Sequence, residues 1–500
     1  MKIPLQARHA LPLAVVAGAC IPLAAPVANL EPLGFLAPAA LYLAIVGQTP
    51  RRAFLAGFGA GCAANLGGFY WVVGLLEDFA HLPWALCVLL YVLLCLAGAF
   101  GWALASLATA LLVRRGALPS VTLPAALVVG EWAVPSVFPW TMAVTQHRFL
   151  PLIQIAEWTG AFGVTLVIAI AGTLLGKAIL ERRPRLAAVA VGVVLAPAAV
   201  GLWRLGAIEA ARDSAPGVRV GLVQPNIGIF DKHDPRLFGK NLAVLHDLTR
   251  RLEERGVELV VWPESAYPYS LSTQARRDGD GGLPRVRPDG RVPIIFGSLT
   301  RSPDGERRHN SALALDAAGN LSEPVHKNVL LVFGEYVPFY RQLPFLQAAF
   351  PRAEGFAPGE RPGVLALGPV RAGVLNCYED ILPEFGRELA ARGPNLLVNV
   401  TNDAWFGDTS EPWLHQALAV FRAVELRRDL VRAVNTGVSG FIDATGKIAK
   451  HTRTFRKATI DGDVRLLEGE TAYARMGDVV PWACLALLVA LAVWPRRPAS

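Results

Sequence analysis

Three short strings in this 500-residue chain set reactive side chains at the edges of apolar runs: Trp262-Pro263-Glu264, His326-Lys327 and Cys377-Tyr378-Glu379. Cys377 is the only cysteine outside the long apolar stretches; Cys20, Cys62, Cys87, Cys95 and Cys484 lie within them. A polar region with one thiol cannot close an internal disulfide, so Cys377 is either a packed small hydrophobe or a nucleophile. A carboxylate, an ammonium and a thiol form a workable chemical set. The carboxylate accepts the thiol proton, and the thiolate attacks a carbonyl. The ammonium and the backbone N–H after the nucleophile then stabilise the oxyanion. His326 and His415 are alternative bases, and composition does not choose between them and Glu264. No Cys/His spacing matches a zinc site, so neither metal nor cofactor is expected.

These strings need elements to position them. Between residues 217 and 466, short Val/Leu-rich runs alternate with helical stretches. Strands are expected at 218–224, 257–262, 292–299, 311–316, 328–333, 370–376, 395–400, 430–434 and 439–443, with helices at 236–255, 381–392 and 413–428. Such alternation argues for an α/β layered fold. Trp262-Pro263-Glu264 ends one strand and Cys377 ends another, while His326-Lys327 precedes a third. The carboxyl ends of strands are where reactive groups converge in α/β sheets. The Gly/Arg/Asp-rich segment 275–291 reads as a surface loop.

The rest of the chain is apolar. More than half of all residues are hydrophobic, and charges are scarce between Leu11 and Leu205. Stretches of about 20 residues, enough to cross hydrocarbon, fall near 10–28, 31–49, 53–76, 84–113, 119–136, 161–181, 186–205 and 478–494. The expected plan is a polytopic α-helical membrane domain (1–210, about seven of roughly eight transmembrane helices), the α/β body (217–466) and a C-terminal helix (478–495). Arg51-Arg52, Arg114-Arg115, Arg182-Arg183 and Arg496-Arg497 then share one side with Lys2 and Arg8. That side is the cytoplasm by the positive-inside rule, which puts both termini inside and the body outside. The net charge of +8 is mostly this topological signal, and no nucleic-acid stripe is present.

The strings belong to a longer pattern. Trp262-Pro263-Glu264, Lys327, Phe333-Gly334-Glu335-Tyr336-Val337-Pro338 and Cys377-Tyr378-Glu379 together resemble the nitrilase superfamily, and within it the bacterial apolipoprotein N-acyltransferases. The stretches 399–407 and 432–437, with Pro412-Trp413 and His415, are similar to the same family. So are Phe138-Pro139-Trp140 and 151–157 in the apolar half. The family's usual proline before Phe333 is absent, as is its Gly-Tyr pair, replaced here by Ala143-Val144.

The resemblance implies a nitrilase-like α-β-β-α sandwich and a ping-pong acyl transfer. Cys377 would take an acyl chain from a phosphatidylethanolamine-like phospholipid as a thioester. It would pass that chain to the α-amine of the N-terminal S-diacylglyceryl cysteine of an apolipoprotein. Glu264 maps onto the general base, Lys327 onto the oxyanion stabiliser and Cys377 onto the nucleophile, with Glu335, Tyr378 and Glu379 in support. Trp405 and Phe406 are candidate lipid contacts. The aromatic segment Tyr336 to Phe356, with Phe345 and Phe350, reads as a lid that dips into the outer leaflet. A multi-pass monomer of the bacterial inner membrane is expected, its catalytic domain on the periplasmic face. The rivals are a tethered amidase or nitrile hydrolase with water as acceptor, and a transporter or receptor with a non-catalytic outer module.

Overall fold

The computed structural model describes residues 7–80, 82–290, 292–332, 334–337, 342 and 355–493. Phe345, Phe350 and most of the expected lid lie outside the described residues. The chain divides into two compact units. The first takes its residues from Met1–Val73, Trp84–Gly206 and Arg475–Ser500, the second from Gly74–Pro83 and Ala207–Ala474.

The first unit is helical. Among the described residues, Trp84–Val113, Ala156–Glu181 and Pro184–Ser214 are long and apolar enough to cross a membrane. Pro50–Gly68 and Val72–Asp78 make a fourth if this pair, bent by 53°, is one span. His9–Ala24, Pro32–Ile45 and Val479–Val493 are apolar but shorter. The continuous helix expected over 53–76 is therefore broken, and the one expected over 119–136 stops at Ala133, two residues before Pro135. Helix backbones approach closely where both faces carry small residues. A Cβ on Gly101 would lie 2.9 Å from the Gly130 carbonyl oxygen, and one on Gly176 would lie 2.6 Å from that of Ala39. Helices in lipid gain from such packing, because no hydrophobic drive separates them from the tails. In Pro184–Ser214 only 17% of the most apolar window is buried. Leu195, Leu202 and Trp203 are exposed on it, a surface suited to hydrocarbon rather than water.

The carboxylates of Glu131 and Glu157 inside this unit are paired. Glu131 accepts the Met142 N–H at 3.0 Å and the Thr165 hydroxyl at 3.2 Å. That anchors the segment after Phe138-Pro139-Trp140, whose rings pack on Trp71 and Phe69. Arg204 donates to both Glu157 oxygens, at 2.7 and 2.6 Å.

The second unit holds the strands β1 (Gly217–Gln224), β2 (Leu259–Val261), β3 (Tyr267–Ser272), β4 (Ile294–Arg301), β5 (Arg308–Leu315) and β6 (Val325–His326). After these come β7 (Val364–Leu367), β8 (Val370–Asn376), β9 (Leu396–Thr401), β10 (Leu430–Val434), β11 (Gly440–Ile442), β12 (Ile448–His451) and β13 (Ala458–Arg465). One sheet runs β13-β1-β2-β4-β5-β6 with β3 beside β4; the other runs β12-β11-β10-β9-β8-β7. Both are mixed. β1, β2 and β4 are mutually parallel, as are β8, β9 and β10, and antiparallel strands flank them.

The sheets pack face to face. Val220, Leu222, Val261 and Ile295 from one meet Val374, Val398, Val431 and Phe441 from the other in a single core. Helix Phe238–Glu253 lays Leu242, Leu245, Leu248 and Leu252 on Val223, Val260 and Phe296 of the first sheet's outer face. On the second sheet, Leu389 of helix Pro383–Ala390 sits over Gly373, and helix Glu411–Leu426 packs beside it. No strand forms over 328–332, the described part of the stretch expected as a strand at 328–333. β6 is two residues long, Lys327 follows it, and the chain then turns at Gly334–Glu335.

Candidate active site

Glu264 follows β2 and Cys377 follows β8, each at the carboxyl end of a strand in the parallel part of its sheet, and Lys327 follows β6, which pairs antiparallel with β5. After β2, Trp262 is held by its indole N–H on Thr249, 2.8 Å away. Pro263 then directs the chain into a turn in which Ser265 has φ +43°. That turn lies flat on Gly297 of β4, where a Cβ would sit 2.6 Å from both Glu264 Cα and Pro263 O. Gly297→Ala should therefore displace the Glu264 turn and lower stability by about 1–3 kcal/mol, the usual cost of overpacking. Thermal unfolding together with the acylation rate reads both effects.

Lys327 is buried between two carboxylates. Its Nζ lies 3.2 Å from Glu264 Oε1 and 2.8 Å from Glu335 Oε2. Asn310 of β5 bridges the same pair, donating to Glu264 Oε1 at 2.7 Å and Glu335 Oε1 at 3.0 Å. Glu335 also accepts the Leu331 N–H. Burial alone would pull the Lys327 ammonium down, but Glu264 and Glu335 outweigh it and hold it well above the ordinary lysine value.

Cys377 opens the 3-10 turn Cys377–Ile381 at φ +52°, partly exposed. Non-glycine residues adopt this left-handed region only where the surroundings impose it. Burial first, then the Glu264 charge, pushes its thiol well above the ordinary value, while Lys327 acts in the opposite direction. With Glu264 and Glu335 against one ammonium, a thiolate would add a second uncompensated negative charge. The thiol proton is best kept within the site.

Glu379 is fully buried and accepts backbone N–H groups from Asn376, Asn328 and Val329 at 2.8, 2.6 and 3.1 Å. It ties the Cys377 turn to the loop that follows Lys327. Tyr378 is partly exposed beside it. Trp405 is also partly exposed, its ring 6.5 Å from that of His233. Phe406, a candidate lipid contact in the sequence, is instead buried (7% exposed).

The alternative bases fall elsewhere. His326 stacks on His309 at 4.0 Å and bonds the Ser311 hydroxyl at 2.8 Å. Burial and His309 lower it to about 4, so it is neutral. His415 is sealed in a cluster with Asp380, Asp403, Glu411 and Arg432, bonding Asp380 at 2.7 Å through Nε2 and Asp403 at 3.3 Å through Nδ1. Burial opposes its charge, but Asp380 and Asp403 outweigh it and raise it to about 10.

A protonated imidazole cannot accept a proton. Asp403, Glu411 and His415 approach one another closely enough to surround an ion. Arg432 and His415 already supply two positive charges there, so the group reads as an ion-paired network. A histidine raised in the folded state contributes stability that is full below its ordinary value of 6.5 and is lost as pH rises through about 10. Unfolding followed between pH 6 and pH 10 should show that alkaline loss, and His415→Gln should flatten it.

Sequence reasoning missed Asn310, Lys232, whose Nζ donates to the Glu264 carbonyl at 2.7 Å, and Asn399, which donates to the Cys377 carbonyl at 3.0 Å. For Asn310 a signal existed: His309-Asn310-Ser311 is a polar run inside a buried strand.

Two face-to-face mixed sheets with a carboxylate, an ammonium and a thiol at their ends define a protein of the carbon–nitrogen hydrolase class. Residues 219–473 match the family described as Carbon-nitrogen hydrolase. Residues 17–174 match the Apolipoprotein N-acyltransferase N-terminal domain. The chain is 38% identical over 494 residues to the apolipoprotein N-acyltransferase of Geobacter metallireducens, covering 95% of this chain and 93% of that one. It is 33% identical over 496 residues to that of Azotobacter vinelandii, covering 96% and 94%. Among solved structures, an amidase from Nesterenkonia sp. is similar at 23% identity and a TM-score of 0.37, covering 52% of this chain and 94% of that one. The chain belongs to the apolipoprotein N-acyltransferase family, and its activity is that family's acyl transfer.

Proposed function

We propose that the chain carries an acyl group from a phospholipid to an apolipoprotein in two steps through Cys377. Glu264 takes the thiol proton as sulfur attacks the ester carbonyl of a phosphatidylethanolamine-like donor. The Lys327 ammonium faces the oxyanion that forms. The C–O bond breaks, Glu264 returns the proton to the leaving alkoxide, and a lysophospholipid departs. The acceptor, the α-amine of an N-terminal S-diacylglyceryl cysteine, enters as the free base and attacks the thioester. The C–S bond breaks, and the amine's surplus proton passes through Glu264 to the sulfur. No ATP is needed, because the thioester conserves the activation of the ester.

One observation carries this reading: Lys327 is buried between Glu264 and Glu335, with Asn310 bridging the two carboxylates beside the Cys377 turn. The hydrogen bond that engages His326 with Ser311 and the protonated state of His415 support Glu264 as the proton acceptor. In this reading Glu335 holds Lys327 in place, Glu379 holds the nucleophile turn, Tyr378 lines the approach, and Trp405 meets lipid with Phe406 packed beneath it.

Residues 1–210 form a membrane domain that crosses about seven times, 217–466 the catalytic domain, and 478–495 a last crossing. The arginine pairs put both termini in the cytoplasm and the catalytic domain on the periplasmic face of the inner membrane. The enzyme works as a monomer.

Phospholipid and a diacylglyceryl-cysteine peptide, incubated with the purified protein, should give N-acyl peptide and lysophospholipid in equal amounts. Free fatty acid without acylated peptide would identify a hydrolase instead. If Phe345 and Phe350 form a lid in the leaflet, replacing both by Glu should slow turnover on vesicles at least about tenfold and spare a short-chain soluble donor. Equal rates on vesicles would dismiss the lid.

A further inference from the structure

The buried cluster around His415 takes no part in the two steps above, yet it touches the nucleophile turn from two directions. Asp380 lies three residues after Cys377 in the same turn. Asp403 begins the turn after β9, the strand whose Val400 pairs with Asn376. His415, on helix Glu411–Leu426, spans the two, with Nε2 on Asp380 and Nδ1 on Asp403. Arg432 of β10 closes on the other Asp380 oxygen, and Glu411 lies 3.7 Å from Nδ1. Among the described residues, Asp380, Asp403, Glu411 and Arg432 are the charged groups that face the ring. The second oxygen of Asp403 is buried without a hydrogen-bond partner, and the Asp403 charge acts on the Cys377 thiol against ionisation.

We propose that His415 is a positioning residue for acyl transfer: bonded to Asp380 through Nε2 and to Asp403 through Nδ1, it holds the two turns together beside Cys377 and balances the buried Asp403 carboxylate. The inference rests on Cys377 acting as nucleophile, as set out above. His415 is sealed from solvent and substrate, so its loss falls on the rate of thioester formation and leaves the KM for phospholipid unchanged.

The test is alkylation of Cys377 by iodoacetamide in the full-length protein, followed site by site by mass spectrometry from pH 6 to pH 10. This measures thiolate directly and does not need the thioester to form. His415→Gln should slow alkylation at neutral pH about tenfold, one unit of thiol pKa. Adding Asp403→Asn to that variant should bring the rate back to within about threefold of the parent, because the uncompensated charge is gone. A purely structural role gives losses that add. Asp403→Asn alone, which leaves His415 its Asp380 bond, should alkylate faster than the parent and serves if His415→Gln does not fold. A parental rate in His415→Gln, a double variant no faster than His415→Gln, or no gain in Asp403→Asn would each overturn the proposal. If alkylation behaves as expected while no acyl adduct ever forms, the thioester reading fails on its own.

Discussion

Under the proposed thioester mechanism, Cys377→Ser should lower acyl transfer by at least about a thousandfold, the scale on which losing the nucleophile of a coupled set reduces turnover, and Cys377→Ala should remove the acyl adduct altogether. A serine hydroxyl fits the same left-handed backbone at φ +52°, so the turn survives the change. What changes is acidity. The site already pushes the thiol well above its ordinary value through burial and the Glu264 charge. A hydroxyl starts far higher still, and the same carboxylate cannot draw its proton. Single-turnover release of lysophospholipid reads the loss, and unchanged thermal unfolding separates it from misfolding.

Glu264→Gln lowers thioester formation by about 10²–10⁴-fold, the range of general-base catalysis, and at the same time speeds alkylation of Cys377 by a small soluble reagent. The two effects run in opposite directions for one reason. In the proposed mechanism Glu264 takes the proton during the reaction, but its charge also suppresses the free thiolate before it. Glutamine keeps the shape and can still meet Asn310, now 2.7 Å from Glu264 Oε1. It leaves Lys327 to act on the sulfur without the Glu264 charge. A variant that lost both reactivities together would point to collapse of the turn on Gly297 rather than loss of a base.

Glu264 and Cys377 stood out in the sequence because each follows a short apolar run, β2 before Trp262-Pro263-Glu264 and β8 before Cys377, whereas His326-Lys327, expected to precede a strand, falls instead at the end of the two-residue β6. The supporting polar groups did not. Asn399 lies inside a strand that reads as ordinary core, Asn310 falls just before the strand expected at 311–316 in a polar run that marks no partner, and only the tertiary fold brings Asn310 to Glu264 across 46 residues of sequence. Edge strands escaped for a related reason. β13 carries Asp461, Asp463 and Arg465 and stays partly exposed, so it lacks the apolar run that marked the central strands. β3 contains Pro268, which weakens a strand signal. Segment 275–291, expected as a surface loop, buries Val286 and Arg287 because the Asp278 carboxylate caps both of their N–H groups. In the apolar half, hydropathy marked where helices lie but not where they break, since the bend after Gly68 falls within an uninterrupted apolar stretch.

The most direct test of the central claim is the intact mass of the purified protein after incubation with phospholipid alone, followed by addition of a diacylglyceryl-cysteine peptide. A thioester mechanism at Cys377 requires a mass gain of one acyl chain localised to that residue. The adduct must disappear at the rate at which N-acyl peptide accumulates. Acylated peptide formed by folded enzyme with no adduct on Cys377 at any time, or an adduct that the peptide amine does not discharge, would contradict it.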